Sequence, residues 1–246
     1  MEVIVVDSES TPETAQVIRD EGDQLFGTVN LLAFKENTGY TRGVNEGLVV
    51  SRGRYTLVMN PDVVILPGAL DTLVHYMDLH PEVGLSGPEL LNFDGTRQHS
   101  FFRFYTVATV FCRRMPWLPG ARRVLERFIM RDIRPSKPIS VDWLMGSALF
   151  VRMSAYERIG GMDEHLFHYF NDVDWAWSFW ENKYRVAYNP HASVYHYHQR
   201  LSKGRWGLLD ALLNRNTRWH LRDALRFFSK RGLRPVHTLT PQPFDI

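Results

Sequence analysis

Two short apolar runs, each ending in a carboxylate, limit most sharply what this chain can fold into. Residues 3–6 are Val-Ile-Val-Val and lead straight into Asp7; residues 55–59 are Tyr-Thr-Leu-Val-Met and lead into Asn60-Pro61-Asp62. Runs of this length, rich in β-branched and aromatic residues, read as buried strands. Between and after them the period changes. Thr11-Pro12-Glu13 opens a helix with proline in its first turn, residues 29–34 give a second strand and residues 40–51 a second helix. Residues 67–80 give another helix, closed by Pro81, and residues 83–86 a fourth strand. Strands alternating with helices predict an α/β domain with a mostly parallel sheet flanked by helices. Ligands of such sheets sit beyond the carboxyl ends of strands, where Asp7 and Asp62 stand.

The second half is less uniform. Residues 143–151 predict a strand, 154–159 a short helix before the Gly160-Gly161 turn, 172–182 a helix capped by Asn171, and 184–188 and 193–197 two short strands. Residues 101–140, with Pro116, Pro119, Pro135 and Pro138, read as an insertion or lid. Net charge is +2 but unevenly spread: residues 101–140 and 203–234 each carry nine Lys/Arg and two acids, so the remainder is acidic. Basic, aromatic-rich segments seek polyanions. No nucleic-acid-binding motif is present, so nucleic acid is not expected as a partner. Residues 204–231 place apolar residues at helical spacing, Leu208/Leu212 and Leu221/Leu225/Phe228, among basic ones. The expected division is an α/β domain over 1–202 and a C-terminal amphipathic helical extension over 203–246. One cysteine, Cys112, excludes an internal disulfide and fits a reducing compartment. No run approaches the roughly 20 apolar residues of a membrane span, and no basic leader precedes the first strand. The expectation is a cytoplasmic protein, free or peripheral on a membrane.

Three clusters carry chemistry. Asp62 follows an apolar strand, where a carboxylate can hold Mg²⁺ or Mn²⁺ against a diphosphate; a plain Asn-Pro-Asp turn is the other reading. Asp172 and Asp174 open a helix inside an aromatic segment. One acid there serves the helix dipole, while a desolvated carboxylate beside a hydroxyl can act as a general base. His196 and His198 share one strand face, with Arg200 beyond them. Imidazole can ligate a metal and guanidinium can clamp phosphate, or the segment is simply a polar strand end.

In order, these segments resemble glycosyltransferase family 2, most nearly its bacterial rhamnosyltransferase-like branch. The resemblance rests on residues 3–10, Asn37-Thr38-Gly39-Tyr40 with Gly43, Asn45 and Gly47, and residues 52–62. It continues through Gly87-Pro88, Asp94-Gly95-Thr96, Asp142-Trp143, Gly146, residues 160–164, Asn171-Asp172-Val173-Asp174, and Val194-Tyr195-His196 with Gln199-Arg200. It implies a GT-A fold (the nucleotide-diphospho-sugar transferase fold) and an inverting, metal-dependent transfer from a nucleotide-sugar donor. By that resemblance Asp172 is the catalytic base, and Asp62 and His196 are the metal residues. Asp7, Ser10, Asn37, Gly39, Asn45, Asn60 and Arg200 bind the donor, while Trp143, Gly146 and Asp174 shape the acceptor pocket. The family usually opens with a further strand–helix unit; this chain begins at what corresponds to the second strand. It also has Asn171-Asp172 where an acidic pair is common, and Ser8 where Asn often stands. The branch implies L-rhamnose from dTDP-rhamnose and a saccharide or lipid-linked acceptor in cell-surface polysaccharide synthesis. A UDP-hexose donor, or an inactive binding relative, are the alternatives. A lipid-linked acceptor would give residues 203–234 a role at an anionic membrane surface on the inner face of the cell membrane, with Trp206, Leu209, Leu213, Trp219 and Phe228 toward lipid.

Overall fold

The computed structural model describes residues 1–166, 169–197 and 215–233. In chain order the elements are β1 (Val3–Ser8), α1 (Pro12–Phe26), β2 (Val29–Phe34), α2 (Gly39–Val50), β3 (Tyr55–Met59), β4 (Val63–Ile65), α3 (Ala69–Leu79) and β5 (Val83–Leu91). There follow β6 (Phe101–Phe102), α4 (Val107–Arg114), α5 (Ala121–Phe128), β7 (Ile139–Ser140), β8 (Trp143–Leu144), β9 (Ala148–Arg152), α6 (Met153–Ile159), α7 (Asn171–Glu181), β10 (Arg185–His196) and α8 (Arg215–Arg231). The expected N-terminal elements are all present. Thr11 caps α1 by accepting from the Thr14 amide, with Pro12 in the first turn.

The sheet departs from the parallel expectation. The main sheet runs β3-β9-β5-β10-β4, with β7 added to β10. Within it only β5–β10 is parallel. β3 and β5 run the same way, as their helical crossover requires, but β9 inserts between them in the opposite sense. That strand comes from beyond the insertion, and its pairing leaves no trace in the local period. The two short strands expected at 184–188 and 193–197 are one strand, β10, with an irregularity between Asn189 and Ser193. β1 and β2 form a separate parallel pair. Among the described residues neither the second edge of β1 nor that of β3 carries a strand. Every residue of β1 is accordingly only half-buried, although four of the six are apolar.

The main core lies between the sheet and α7. Trp175, Trp177 and Phe179 of α7 are at most 2% exposed, and residues of the 101–140 insertion share that core: Phe104, Tyr105, Val110, Phe128 and Met130. Each such side chain contributes on the order of 1.5–3 kcal/mol by leaving water. The insertion is therefore fastened to the domain along its length. α8 also docks on the domain, burying Ala224 and Phe227. Its Lys230 and Arg231 pair with Asp163, Asp174 and Glu181. Within the described part of the C-terminal extension, then, these cations are engaged by the domain's own acids. Phe228, expected toward lipid, packs against the core. Trp206, Leu209 and Leu213 lie outside the described residues. No helix of the described residues is long and apolar enough to cross a membrane.

Candidate active site

The expected strand over 143–151 is broken at Met145–Ser147, and this break organises the site. Gly146 donates its amide to Asp172 Oδ2 at 3.0 Å and accepts the Tyr40 hydroxyl at 2.6 Å. Next door, the Ser147 carbonyl accepts the Asn60 amide at 3.0 Å, two residues before Asp62. One three-residue turn thus touches both the segment holding Asp62 and the carboxylate of Asp172. A side chain at Gly146 would crowd this junction: a Cβ there would lie 3.1 Å from the Tyr40 hydroxyl and 3.5 Å from Asp172 Oδ2.

Asp172 is aimed by the start of α7. Phe170, not Asn171, is the capping residue, and it adopts a left-handed backbone (φ 65°) that costs a non-glycine residue conformational energy. Packing compensates, since its ring meets Tyr105, His220 and Phe227 with centroids 4.6, 5.3 and 5.3 Å apart. Asn171 donates to Thr41 of α2 at 3.0 Å, which ties the start of α7 to the start of α2. Burial pushes the Asp172 carboxyl up to about 6, against the pull of the Gly146, Val173 and Asp172 amides and of Arg113. A carboxylate poised there can accept a proton near neutral pH. Tyr40 is raised by burial and then by Asp172, so its hydroxyl remains a donor.

Across the turn, β4 pairs antiparallel with the end of β10, setting Val63 opposite His196. Asp62 Oδ1 consequently lies 3.8 Å from His196 Nε2. The imidazole's other nitrogen sits 2.8 Å from Gln98 Oε1, while the Gln98 amide donates to the His196 carbonyl and to Asn92 Oδ1 at 2.7 Å each. Those two donations fix which end of Gln98 is oxygen, so His196 Nδ1 carries the proton and Nε2 turns its lone pair toward Asp62. Burial lowers the histidine's pKa, which keeps the ring neutral against the opposing influence of Asp62. Asp62 Oδ1 is buried and accepts no hydrogen bond among the described residues. A lone pair and a carboxylate facing each other fit a divalent cation whose remaining ligands come from phosphate and water. Asp62 and His196 are the residues that would hold it. Among the described residues there is no cluster of three His, Cys, Asp or Glu that would hold a metal unaided.

At the end of β1, Asp7 Oδ2 is likewise buried and accepts no hydrogen bond among the described residues. Ser8 bonds Thr38 at 2.6 Å, linking this strand end to the start of α2. Asn37 accepts from the Gly39 amide at 2.9 Å, and Gly39 takes the positive φ (73°) that begins the helix. The Ser10 amide bonds Phe34. The start of α2 therefore touches the end of β1, the Gly146 turn and the start of α7.

A family model described as glycosyl transferase family 2 matches residues 1–160. A relative from Mycobacterium tuberculosis (strain ATCC 25618 / H37Rv), N-acetylglucosaminyl-diphospho-decaprenol L-rhamnosyltransferase, is 32% identical over 223 residues, covering 82% of this chain and 68% of that one. The chain belongs to glycosyltransferase family 2. Rhamnosyltransferase WbbL of Escherichia coli (strain K12) is 24% identical over 182 residues, covering 73% of this chain and 63% of that one. Solved structures share the fold, two of them glycosyltransferases bound to nucleotide and Mn²⁺. GalNAc-T7 with UDP, GalNAc and Mn²⁺ gives a TM-score of 0.63 at 12% identity, covering 93% of this chain and 41% of that chain. The mannosyltransferase PcManGT from Pyrobaculum calidifontis with GDP-Man and Mn²⁺ gives 0.53 at 16%, covering 97% and 67%. The GT-A fold is thus the architecture of this family-2 glycosyltransferase.

Several expected site residues of this glycosyltransferase do other work. Asn45 is held by the turn after α6: it donates to the Met162 carbonyl at 2.9 Å and accepts the Met162 amide at 2.8 Å. Gly161 is needed there, because a Cβ would come within 2.3 Å of Asn45 Oδ1. Asp174 does not face an acceptor pocket. Two residues along an α-helix turn its direction by about 200° from that of Asp172, and its carboxylate meets Arg231 at 2.6 Å and Lys230 at 2.9 Å. Trp143 backs the site from within the core, 6% exposed, stacked on Phe102 at 4.5 Å and bonded to the Arg103 carbonyl at 2.7 Å. Arg200 lies outside the described residues. The sequence reading missed Tyr40 as a site residue and missed Gln98 altogether. Tyr40 lay inside a quoted motif, but Gln98 has no sequence signal, because its role exists only through its contact with His196.

Proposed function

We propose that this glycosyltransferase moves L-rhamnose from dTDP-rhamnose, with inversion, to a sugar carried on a lipid diphosphate. The observation that carries the transfer chemistry is the pair of acids flanking the Gly146 turn. Asp172 takes the proton from the acceptor hydroxyl as its oxygen bonds to the anomeric carbon. The bond from that carbon to the diphosphate breaks, and its electron pair leaves with the nucleoside diphosphate. A divalent cation at Asp62 and His196 would offset the charge gathering on the leaving group. Asp7, with its buried free oxygen, is the group for the nucleoside. The 32%-identical relative's printed activity supports both sugar and acceptor, the rhamnosyltransferase from Escherichia coli supports the sugar, and the fit of Asp62 and His196 to a metal–diphosphate supports a nucleoside-diphosphate donor. We place the chain on the cytoplasmic face of the membrane, since its acceptor would be lipid-anchored there.

The test is a donor panel. The purified chain is mixed with dTDP-rhamnose or UDP-hexoses, a short-chain lipid-diphosphate N-acetylglucosamine, and Mn²⁺, Mg²⁺ or EDTA, and products are read by mass spectrometry. Rhamnosyl product that disappears with EDTA is expected. Hexosyl product from UDP donors alone would replace the donor assignment, and no product with any donor would favour a binding protein.

A further inference from the structure

We propose that Arg113, on the inserted helix α4, binds the phosphate next to the acceptor sugar, so that the acceptor enters beside Asp172 as a sugar diphosphate. This rests on the acceptor class proposed above and assigns it a residue.

Arg113 projects from the packed face of α4. On α4 the packed side is marked by Thr109, Val110 and Arg114, all buried, and the outer side by Val107, Ala108 and Phe111, all exposed. At about 100° per residue Arg113 falls between Thr109 and Val110, on the packed side. It is nevertheless exposed. A side chain that points inward and still meets water lines a cleft, not the outer surface. Its guanidinium donates to the Tyr105 hydroxyl at 2.6 Å and lies 5.6 Å above the ring centres of both Tyr105 and Phe128. That aromatic bed fixes the fork in place.

The same aromatic bed backs the base. Tyr105 packs on Phe170, two residues before Asp172, at 4.6 Å, and on Trp143 at 5.7 Å. The Arg113 charge is felt by Asp172 and by Tyr105 alike. Yet no carboxylate lies within ion-pair distance of Arg113 among the described residues, whereas Arg103, Arg122 and Arg131 of the same insertion are each paired. It touches Tyr105 and Phe128, and its charge reaches Asp172 and His220. A fixed, uncompensated guanidinium fork suits phosphate oxygens. The donor's diphosphate belongs across the turn with Asp62 and His196, so the anion for Arg113 is the acceptor's.

Binding is measured without donor, by the fluorescence change on adding one of two acceptors to the full chain. One is N-acetylglucosamine linked through diphosphate to a short alkyl chain; the other is the same alkyl glycoside without phosphates. The wild type is expected to bind the diphosphate form roughly 10- to 100-fold more tightly, Arg113→Ala to lose that preference, and Arg113→Lys to keep part of it. Arg19→Ala, which removes one exposed charge from α1, is expected to keep it all. Equal wild-type affinity for the two glycosides, or a preference that survives in Arg113→Ala, overturns the proposal. Arg113 is exposed, and Arg113→Lys keeps a cation over the same rings, so partial retention of the preference there separates lost binding from lost packing. If the preference and its loss are seen while the wild type transfers no sugar, the phosphate site stands and the rhamnosyl-transfer reading fails.

Discussion

Replacing Asp172 by asparagine is expected to make the protein more stable at neutral pH while stopping transfer. The carboxyl is pushed from an ordinary 3.8 up to about 6, chiefly by burial. A raised carboxyl binds its proton more tightly in the folded chain than in the unfolded one. Stability from this group is therefore complete below about pH 4 and falls as pH rises toward 6. A displacement of about two pH units corresponds to about 3 kcal/mol, an upper value for a half-buried group. Asparagine carries no charge and escapes this loss. It still offers one oxygen to the Gly146 or Val173 amide, which now share two acceptor atoms; giving up one such bond costs about 1 kcal/mol. The net gain is about 1–2 kcal/mol at pH 7.5. Urea unfolding of wild type and Asp172→Asn at pH 4, 5, 6 and 7.5 measures it. The difference between the two should grow by about 2–3 kcal/mol from pH 4 to pH 7 and then level off. A difference constant across that range would refute the claim that burial destabilises this carboxylate.

The other consequences concern the turn, the cation residues and α8. His196→Ala should weaken Mn²⁺ binding in the presence of nucleoside diphosphate by at least about tenfold, by calorimetric titration; unchanged affinity would leave Asp62 acting without it. Gly146→Ala must push aside the Tyr40 hydroxyl and Asp172 and should lower kcat by roughly tenfold or more, while unfolding free energy drops by only about 1–2 kcal/mol. Arg231→Ala leaves the buried Asp174 with Lys230 alone and should cost about 2–4 kcal/mol in urea, with acceptor KM unchanged because Asp174 faces α8 and not the acceptor.

What could be read from the sequence followed the reach of each signal. The β-branched runs and helical periods of residues 3–91 are local, so most elements there were legible, but the three-residue β4 was not, and β5 runs five residues beyond the strand expected at 83–86. Their carboxyl-end acids, Asp7 and Asp62, stand where the run lengths placed them. The pairing of β9 between β3 and β5 was not legible, because it joins segments about 90 and about 65 residues apart and nothing in any of the runs encodes its partner. The same holds for the site. Asp172, Asp62 and His196 were legible as residue types in order. What each does locally depends on side-chain contacts made at distance, and there Asp172 and Asp174 part company. They sit two apart on one helix, so they point to different sides: one meets a glycine amide, the other the cations of α8. Asn45 was misread for the same reason, since its amide pairs with a backbone 117 residues away.

Central to this account is that Asp172 acts as the base across the Gly146 turn from a cation held by Asp62 and His196. The most direct measurement is the pH profile of transfer at saturating donor and cation, for wild type and Asp172→Asn, beside the cation affinity of each. The account predicts a wild-type rate that climbs to a plateau with a midpoint near pH 6, a loss of roughly 10²- to 10⁴-fold in Asp172→Asn, and equal cation binding by both. Transfer by Asp172→Asn within tenfold of wild type, with the same midpoint, would contradict it.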